Sequence, residues 1–359
     1  MENLLFSQYK LGQVILNNRI VMAPMTRSRA EGNIPNENMA KYYSLRADAG
    51  LIITEGTSPS PNGLGYPRIP GLFNEQQITG WKKVTDAVHN KGGKIFVQLM
   101  HTGRVSHPDN MPAGARILAP SPLKFDGLIF TEKMNKVPFP EPEEMTIQDI
   151  YDTIDEFVNS AELAVEAGFD GIELHGGNGY LIEQFISRTT NHRSDQFGGS
   201  VENRIRFVTA MAEKAAAKIG KDKIGIRISP YGVSNGTGYY DDIDETYTQL
   251  AAELDKTGIA YIHIIDHSAM GAPPVNPAIK KAIREIFRGT VILSGNYDLQ
   301  RAENDLEENK GDLIAFGRLF ISNPDFVNRL KKGEEMQKPD FSTFYTPGIK
   351  GYLDYPVIS

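Results

Sequence analysis

The 359-residue chain contains no cysteine, which excludes disulfides, thiolate metal sites, iron–sulfur clusters and a cysteine nucleophile. A chain without thiols also says nothing about its redox compartment. No run approaches the roughly 18 to 20 apolar residues that a membrane-spanning helix needs. The first ten residues lack the basic start, apolar stretch and small-residue cleavage site of a secretion signal, so the expected location is cytoplasmic. Basic residues are in the minority: 38 Lys and Arg stand against 45 Asp and Glu, a formal net charge of −7. With no basic footprint for nucleic acid and no polybasic patch for a membrane, a small-molecule substrate is the expected partner. The standard zinc-ligand spacings are missing, as is the Gly-x-Ser-x-Gly elbow, which sets aside a metal centre and a serine hydrolase.

What the chain does have is an ordinary globular composition, 40% hydrophobic and 23% charged, and a repeating pattern. Short runs rich in β-branched residues, at 19–23, 51–55, 94–99, 171–175, 224–229, 261–266, 290–294 and 313–317, alternate with longer amphipathic stretches. Eight such pairs predict an α/β fold, a (β/α)8 TIM barrel spanning 1–359 as a single domain. Ile150, Ile154, Phe157, Ala161 and Ala164 recur at helical spacing behind a cap at Thr146 and Asp149. Ser200 is the expected N-cap of the next helix. Trp81, the only tryptophan, sits on a predicted helix over 75–90 beside Val84 and Val88, where helix packing is its expected role. The Pro- and Gly-rich stretch from about 102 to 144, with the strand-like piece Leu128-Ile129-Phe130-Thr131, is too long for one crossover and is read as an inserted cap or lid after strand three.

In such a barrel the active site lies where the strands end. Strand one ends in Ala23-Pro24-Met25-Thr26-Arg27, strand two in Glu55-Gly56-Thr57, strand three in Gln98-Leu99-Met100-His101 and strand five in Arg227-Ile228-Ser229-Pro230. Strand four delivers His175, Asn178 and Tyr180 within six residues. A neutral His and an Asn amide offer two donors to a carbonyl oxygen. Tyr180, with an unperturbed pKa of about 10, is a general acid at neutral pH. None of these groups supplies a hydride, so a redox cofactor is required. After strands seven and eight, Ser294-Gly295-Asn296 and Gly317-Arg318 combine bare backbone amides with a cation, which suits a phosphate.

These residues resemble the Old Yellow Enzyme family of flavin-dependent ene-reductases along essentially the whole chain. The likeness also rests on Asn191-His192-Arg193-Ser194-Asp195-Gln196-Phe197-Gly198-Gly199-Ser200-Val201-Glu202-Asn203-Arg204 and on Gly351-Tyr352-Leu353-Asp354-Tyr355-Pro356. It implies a non-covalent FMN across the barrel mouth, with Pro24, Met25, Thr26, Gly56 and Gln98 around the ring system and Thr26 tuning its potential. Arg227 would stabilise the reduced flavin, while Ser294, Gly295, Asn296, Gly317 and Arg318 would bind the phosphate. NADPH, or NADH, would reduce the flavin, and an activated alkene (an unsaturated ketone, aldehyde, imide or nitroalkene) would then bind through His175 and Asn178. Hydride would pass to the β-carbon while Tyr180 protonates the α-carbon, in a pocket shaped by Tyr66, Met100 and Tyr352.

Met100 stands where many members of that family carry tryptophan, which implies a more open pocket. Phe197 replaces the usual tyrosine, Thr26 places the chain with the classical members, and Asn178 replaces a second histidine found in some bacterial ones. Alternatives at this stage are a nitro-compound or nitrate-ester reductase on the same barrel and a non-catalytic flavin-binding protein. A sugar-phosphate aldolase or isomerase would predict a lysine or acidic base at a strand end where His175 and Asn178 stand. The helix faces are compatible with a monomer or a homodimer.

Overall fold

A computed structural model describes residues 3–133 and 135–357. Met134, inside the expected cap, and the ends of the expected domain at Met1, Glu2, Ile358 and Ser359 lie outside the described residues. Eight parallel strands close into a barrel: β1 (Ile20–Met22), β2 (Leu51–Ile53), β3 (Ile95–Leu99), β4 (Gly171–Gly176), β5 (Ile224–Ile228), β6 (Tyr261–Ile265), β7 (Thr290–Ser294) and β8 (Leu313–Phe316). Each strand pairs with the next in sequence, and β8 returns to β1 through Ile314↔Ile20.

All eight predicted runs become strands, most of them trimmed at an end. Ala23, Glu55, Ser229, Asp266 and Gly317 fall outside the ladders, whereas β4 runs one residue further, to Gly176. The residues trimmed from these runs leave the sheet at the barrel mouth, and strand limits vary by a residue or two in any case. The strands are buried on both faces, which is why they read as continuous apolar runs.

The surrounding helices form where amphipathic spacing and caps agree. Ile147–Glu166 opens on a capping box: the Asp149 amide donates to Thr146 Oγ1 at 3.1 Å, and the Thr146 amide to Asp149 Oδ2 at 2.8 Å. Ser200 caps Val201–Ile219 by accepting from the Asn203 amide. Helix Glu75–His89 buries Trp81, whose ring meets Phe169 edge-on at 5.2 Å and whose Nε1 donates to the Gly71 carbonyl at 3.1 Å.

Two pieces flank the barrel. An N-terminal hairpin, Tyr9–Leu11 with Val14–Leu16, packs Leu11 and Leu16 against Val21, Leu51, Phe96 and Tyr261. It has no counterpart in the strand reading above. The 102–144 insertion carries a hairpin of Leu128–Phe130 with Lys136–Pro138 and a short pairing of Leu118–Ala119 with Glu143–Glu144. Val105, Ile129 and Phe139 of this insertion pack against Tyr66 and Tyr180, so it covers one side of the mouth. No helix among the described residues is long and apolar enough to cross a membrane.

Trp81→Ala removes a fully buried side chain and is expected to cost about 3 to 5 kcal/mol of stability. Urea unfolding checks this, and a loss below about 1 kcal/mol, the level of an exposed site, would contradict the packing role.

Candidate active site

At the C-terminal end of the strands lies a cavity of about 370 Å³. Its lining brings together most of the residues singled out by sequence: Pro24, Met25 and Thr26 after β1, Gln98 and Met100 from β3, and His175, Asn178 and Tyr180 from β4. Arg227 comes from β5, Ser294, Gly295 and Asn296 from β7, and Gly317 and Arg318 from β8.

Three of the expected residues do not line this cavity. Gly56 lies behind Met100: a Cβ there would come within 2.5 Å of the Met100 sulfur, so the missing side chain is what lets Met100 pack. Tyr66 stands behind Tyr180, which donates to the Tyr66 hydroxyl at 3.2 Å and meets its ring edge-on at 6.1 Å. Tyr352 is fully buried and stacks on Tyr42 with ring centroids 4.2 Å apart. The C-terminal segment faces the cavity instead with Phe344 and Tyr345.

Buried arginines hold that segment down. Arg27 donates to the Gly351 carbonyl at 2.7 Å and to the Tyr42 hydroxyl at 3.0 Å. Arg29 donates to the carbonyls of Thr343 at 2.8 Å and Phe344 at 2.6 Å. A guanidinium carries five donors in a fixed fork, and here backbone carbonyls take most of them.

The floor is organised by Glu173, which points inward from β4 and is fully buried. Its Oε1 accepts from Gln98 Nε2 at 2.8 Å, and its Oε2 bonds His263 Nδ1 at 2.9 Å. A carboxylate only accepts, so the Gln98 amide nitrogen must face it, which leaves the Gln98 carbonyl oxygen for the cavity. Arg227 is buried beside this group, and its Nε has no partner among the described residues. Burial lowers Arg227 to about 10, with the charge of Glu173 opposing the shift. It therefore remains a cation at neutral pH.

Electrostatics set the protonation states of the wall. Burial, then the Arg227 cation across the β4–β5 pairing, holds the His175 imidazole well below its ordinary pKa. His175 Nε2 faces Asn178 Nδ2 at 3.3 Å, while His175 Nδ1 and Asn178 Oδ1 have no partner among the described residues. Desolvation pushes the Tyr180 phenol up to about 12. The cavity thus presents a neutral imidazole, an amide and a protonated phenol beside a buried cation, which is equipment for binding a neutral oxygen and delivering a proton. No cluster of metal-ligating side chains occurs among the described residues.

Sequence reasoning passed over the end of β6, which contributes Asp266, His267 and Met270 to the lining. Burial and Arg227 lower His267 to about 4. The strand-end rule applied to the other strands would have found them. Phe344 and Tyr345 carried no comparable signal, because their place depends on the arginine contacts of a distant segment.

Comparison with known proteins adds a relationship to this geometry. Residues 4–337 match the pattern of the NADH:flavin oxidoreductase / NADH oxidase family. The chain is 38% identical to 12-oxophytodienoate reductase 1 of Oryza sativa subsp. japonica, over 99% of this chain and 93% of that protein. Its structure resembles that of morphinone reductase with a TM-score of 0.96 and 39% identity, covering 100% of this chain and 97% of the other. An old yellow enzyme homologue from Zymomonas mobilis gives a TM-score of 0.95 at 37% identity, with 99% of both chains covered.

The His175 imidazole should stay neutral throughout the physiological range, roughly pH 5 to 8, where an ordinary histidine titrates. Nitrogen NMR of the labelled protein tests this, and a His175 midpoint above about 6, near the free value, would contradict the site electrostatics.

Proposed function

The chain belongs to the NADH:flavin oxidoreductase / NADH oxidase family, the family of old yellow enzyme, and from that premise we propose that it reduces activated alkenes. It is an oxidoreductase that uses FMN with NAD(P)H as reductant. The substrates are small molecules whose carbon–carbon double bond is conjugated to an oxygen-bearing acceptor: an unsaturated ketone, aldehyde or imide, or a nitroalkene.

The residues present fit FMN. One end of the cavity offers Gly295, Asn296 and Gly317 beside an exposed Arg318 that makes no ion pair among the described residues, a suitable setting for a phosphate. The other end offers Pro24, Met25, Thr26 and the Gln98 carbonyl, together with the unpartnered Nε of Arg227, as edges for a polar ring system. Bound there, FMN supplies the two-electron chemistry that no side chain of this chain can provide. Gly56 contributes indirectly in this reading, by making room for Met100.

The observation that carries the reading is the convergence of His175, Asn178 and Tyr180 on the cavity that also holds Thr26, Gln98 and Arg227. An oxygen on the cavity side of His175 Nε2 and Asn178 Nδ2, which face each other at 3.3 Å, receives two N–H bonds when both groups turn toward it and the imidazole carries its proton on Nε2. Those bonds strengthen as negative charge gathers on the oxygen, which is where catalysis gains over binding. Tyr180 holds the proton for the α-carbon. A phenol raised to about 12 yields its proton only to a strongly basic partner, a condition met by a carbanion-like carbon and not by water. Tyr66 supports that hydroxyl from behind, and Tyr345 and Met270 stand at the mouth, where they bear on substrate range.

Tyr180→Phe should slow reoxidation of the NADPH-reduced enzyme by 2-cyclohexenone about 100-fold or more, the usual weight of a general acid. Flavin reduction by NADPH should be spared. Anaerobic stopped-flow spectroscopy separates the two half-reactions, and equal loss in both would refute the proton-donor role.

A further inference from the structure

Asn178 and Tyr180 reach the cavity from an unusual piece of backbone. Residues 177–180 form a tight turn, closed by the Tyr180 amide donating to the Gly177 carbonyl at 3.3 Å. Its two central residues are both left-handed, Asn178 at φ 59° and Gly179 at φ 73°. That conformation is natural for Gly but uncommon for a residue with a Cβ, so surrounding structure has to hold it.

Side chains hold every peptide group of the pair. The Asn178 amide donates to Ser229 Oγ at 2.9 Å, and its carbonyl accepts from Asn235 Nδ2 at 2.8 Å. The Gly179 amide donates to Glu183 Oε2, and its carbonyl accepts from Gln184 Nε2 at 2.8 Å. Two of these four grips lead to one carboxylate, because the Ser229 hydroxyl donates in turn to Glu183 Oε1 at 2.8 Å. Tyr247 donates to the same oxygen at 3.0 Å. Glu183 itself is buried, is absent from the cavity lining and meets a donor at each of these three contacts. Burying a carboxylate is costly, and burial pushes this one up to about 7. A group kept at that cost to grip two left-handed residues acts on whatever those residues carry.

We propose that Glu183 is a positioning residue that locks the 177–180 turn and so fixes Asn178 and Tyr180 against the substrate, a role that rests on the alkene-reductase reading above. Arg227 lies two residues before Ser229 at the end of β5, but neither it nor Thr26 nor Gln98 shares a bond with Glu183 among the described contacts. Removing the carboxylate therefore loosens substrate binding and proton delivery while leaving the flavin end intact. Gln is nearly isosteric, but its NH2 either meets the Gly179 N–H or obliges the Ser229 and Tyr247 hydroxyls to turn from donors into acceptors, so the bonds that pull on the turn are lost or reversed.

The test compares the holoenzyme with E183Q, S229A and the double variant. Amide hydrogen exchange of the 177–180 segment reads the turn without reference to any reaction, and E183Q should accelerate it about tenfold or more, the weight of one hydrogen bond to a charged group. In kinetics, E183Q should raise KM for 2-cyclohexenone and slow reoxidation by a similar factor, with FMN content unchanged. S229A removes the bridge alone and should give a smaller effect in the same direction. The double variant should fall short of the sum of the two single effects, because Ser229 and Glu183 share one contact. Unchanged exchange in both single variants would overturn the proposal, as would loss of FMN or simple additivity. A wild-type enzyme inert toward every activated alkene would instead overturn the functional reading, and the exchange data would still decide the role of Glu183 in the turn. Should E183Q fail to fold, S229A carries the same comparison.

Discussion

A carboxylate with no access to water lies at the centre of the barrel mouth, and the floor of the site depends on how it is satisfied. Glu173 binds Gln98 of β3 and His263 of β6, and its charge is felt by Arg227 of β5. An unpaired buried carboxylate would cost several kcal/mol, so those side chains are held wherever the carboxylate is. Four neighbouring strands are thereby tied at one level. The consequence reaches beyond stability, since Gln98 can only turn its carbonyl toward the cavity and Arg227 keeps an open donor there.

The same logic recurs at the other parts of the site in different chemistry. Arg27 and Arg29 bind carbonyls of the C-terminal segment, which brings Phe344 and Tyr345 to the mouth. Glu183 and Ser229 bind amides of the turn that carries Asn178. In each case a buried charge is satisfied by main-chain or fixed polar groups, and the geometry of a functional wall follows. The floor, the mouth and the proposed substrate wall therefore rest on different contacts, although β4 carries both Glu173 and His175 and β5 leads from Arg227 to Ser229.

Much of the architecture was legible in the sequence because its physics is local or periodic. Runs such as 51–55 and 290–294 are apolar on both faces, and only a parallel sheet covered on both sides wants that pattern. Thr146 with Asp149 and Ser200 marked helix starts through contacts within one turn. The N-terminal hairpin was not legible, because strands of three residues carry too little pattern to distinguish from a loop. Tyr352 was expected in the pocket from its place in a terminal motif, but its burial against Tyr42 depends on arginines more than 300 residues away in sequence, as with Arg27 and Gly351. The turn at 177–180 was readable as polar residues at a strand end. That four side chains from two segments clamp its backbone was not, since Ser229, Asn235, Glu183 and Gln184 each look ordinary in the chain.

The central claim is that the wall formed by His175 and Asn178 receives the oxygen of a substrate above a floor that holds the flavin. A crystal structure of the FMN-loaded protein with a saturated cyclic ketone tests it most directly. The ketone oxygen should lie within hydrogen-bond distance of both His175 Nε2 and Asn178 Nδ2, with the flavin ring against Thr26, Gln98 and Arg227. A ketone held by Tyr345 or Arg227, with His175 and Asn178 still facing each other, would contradict it.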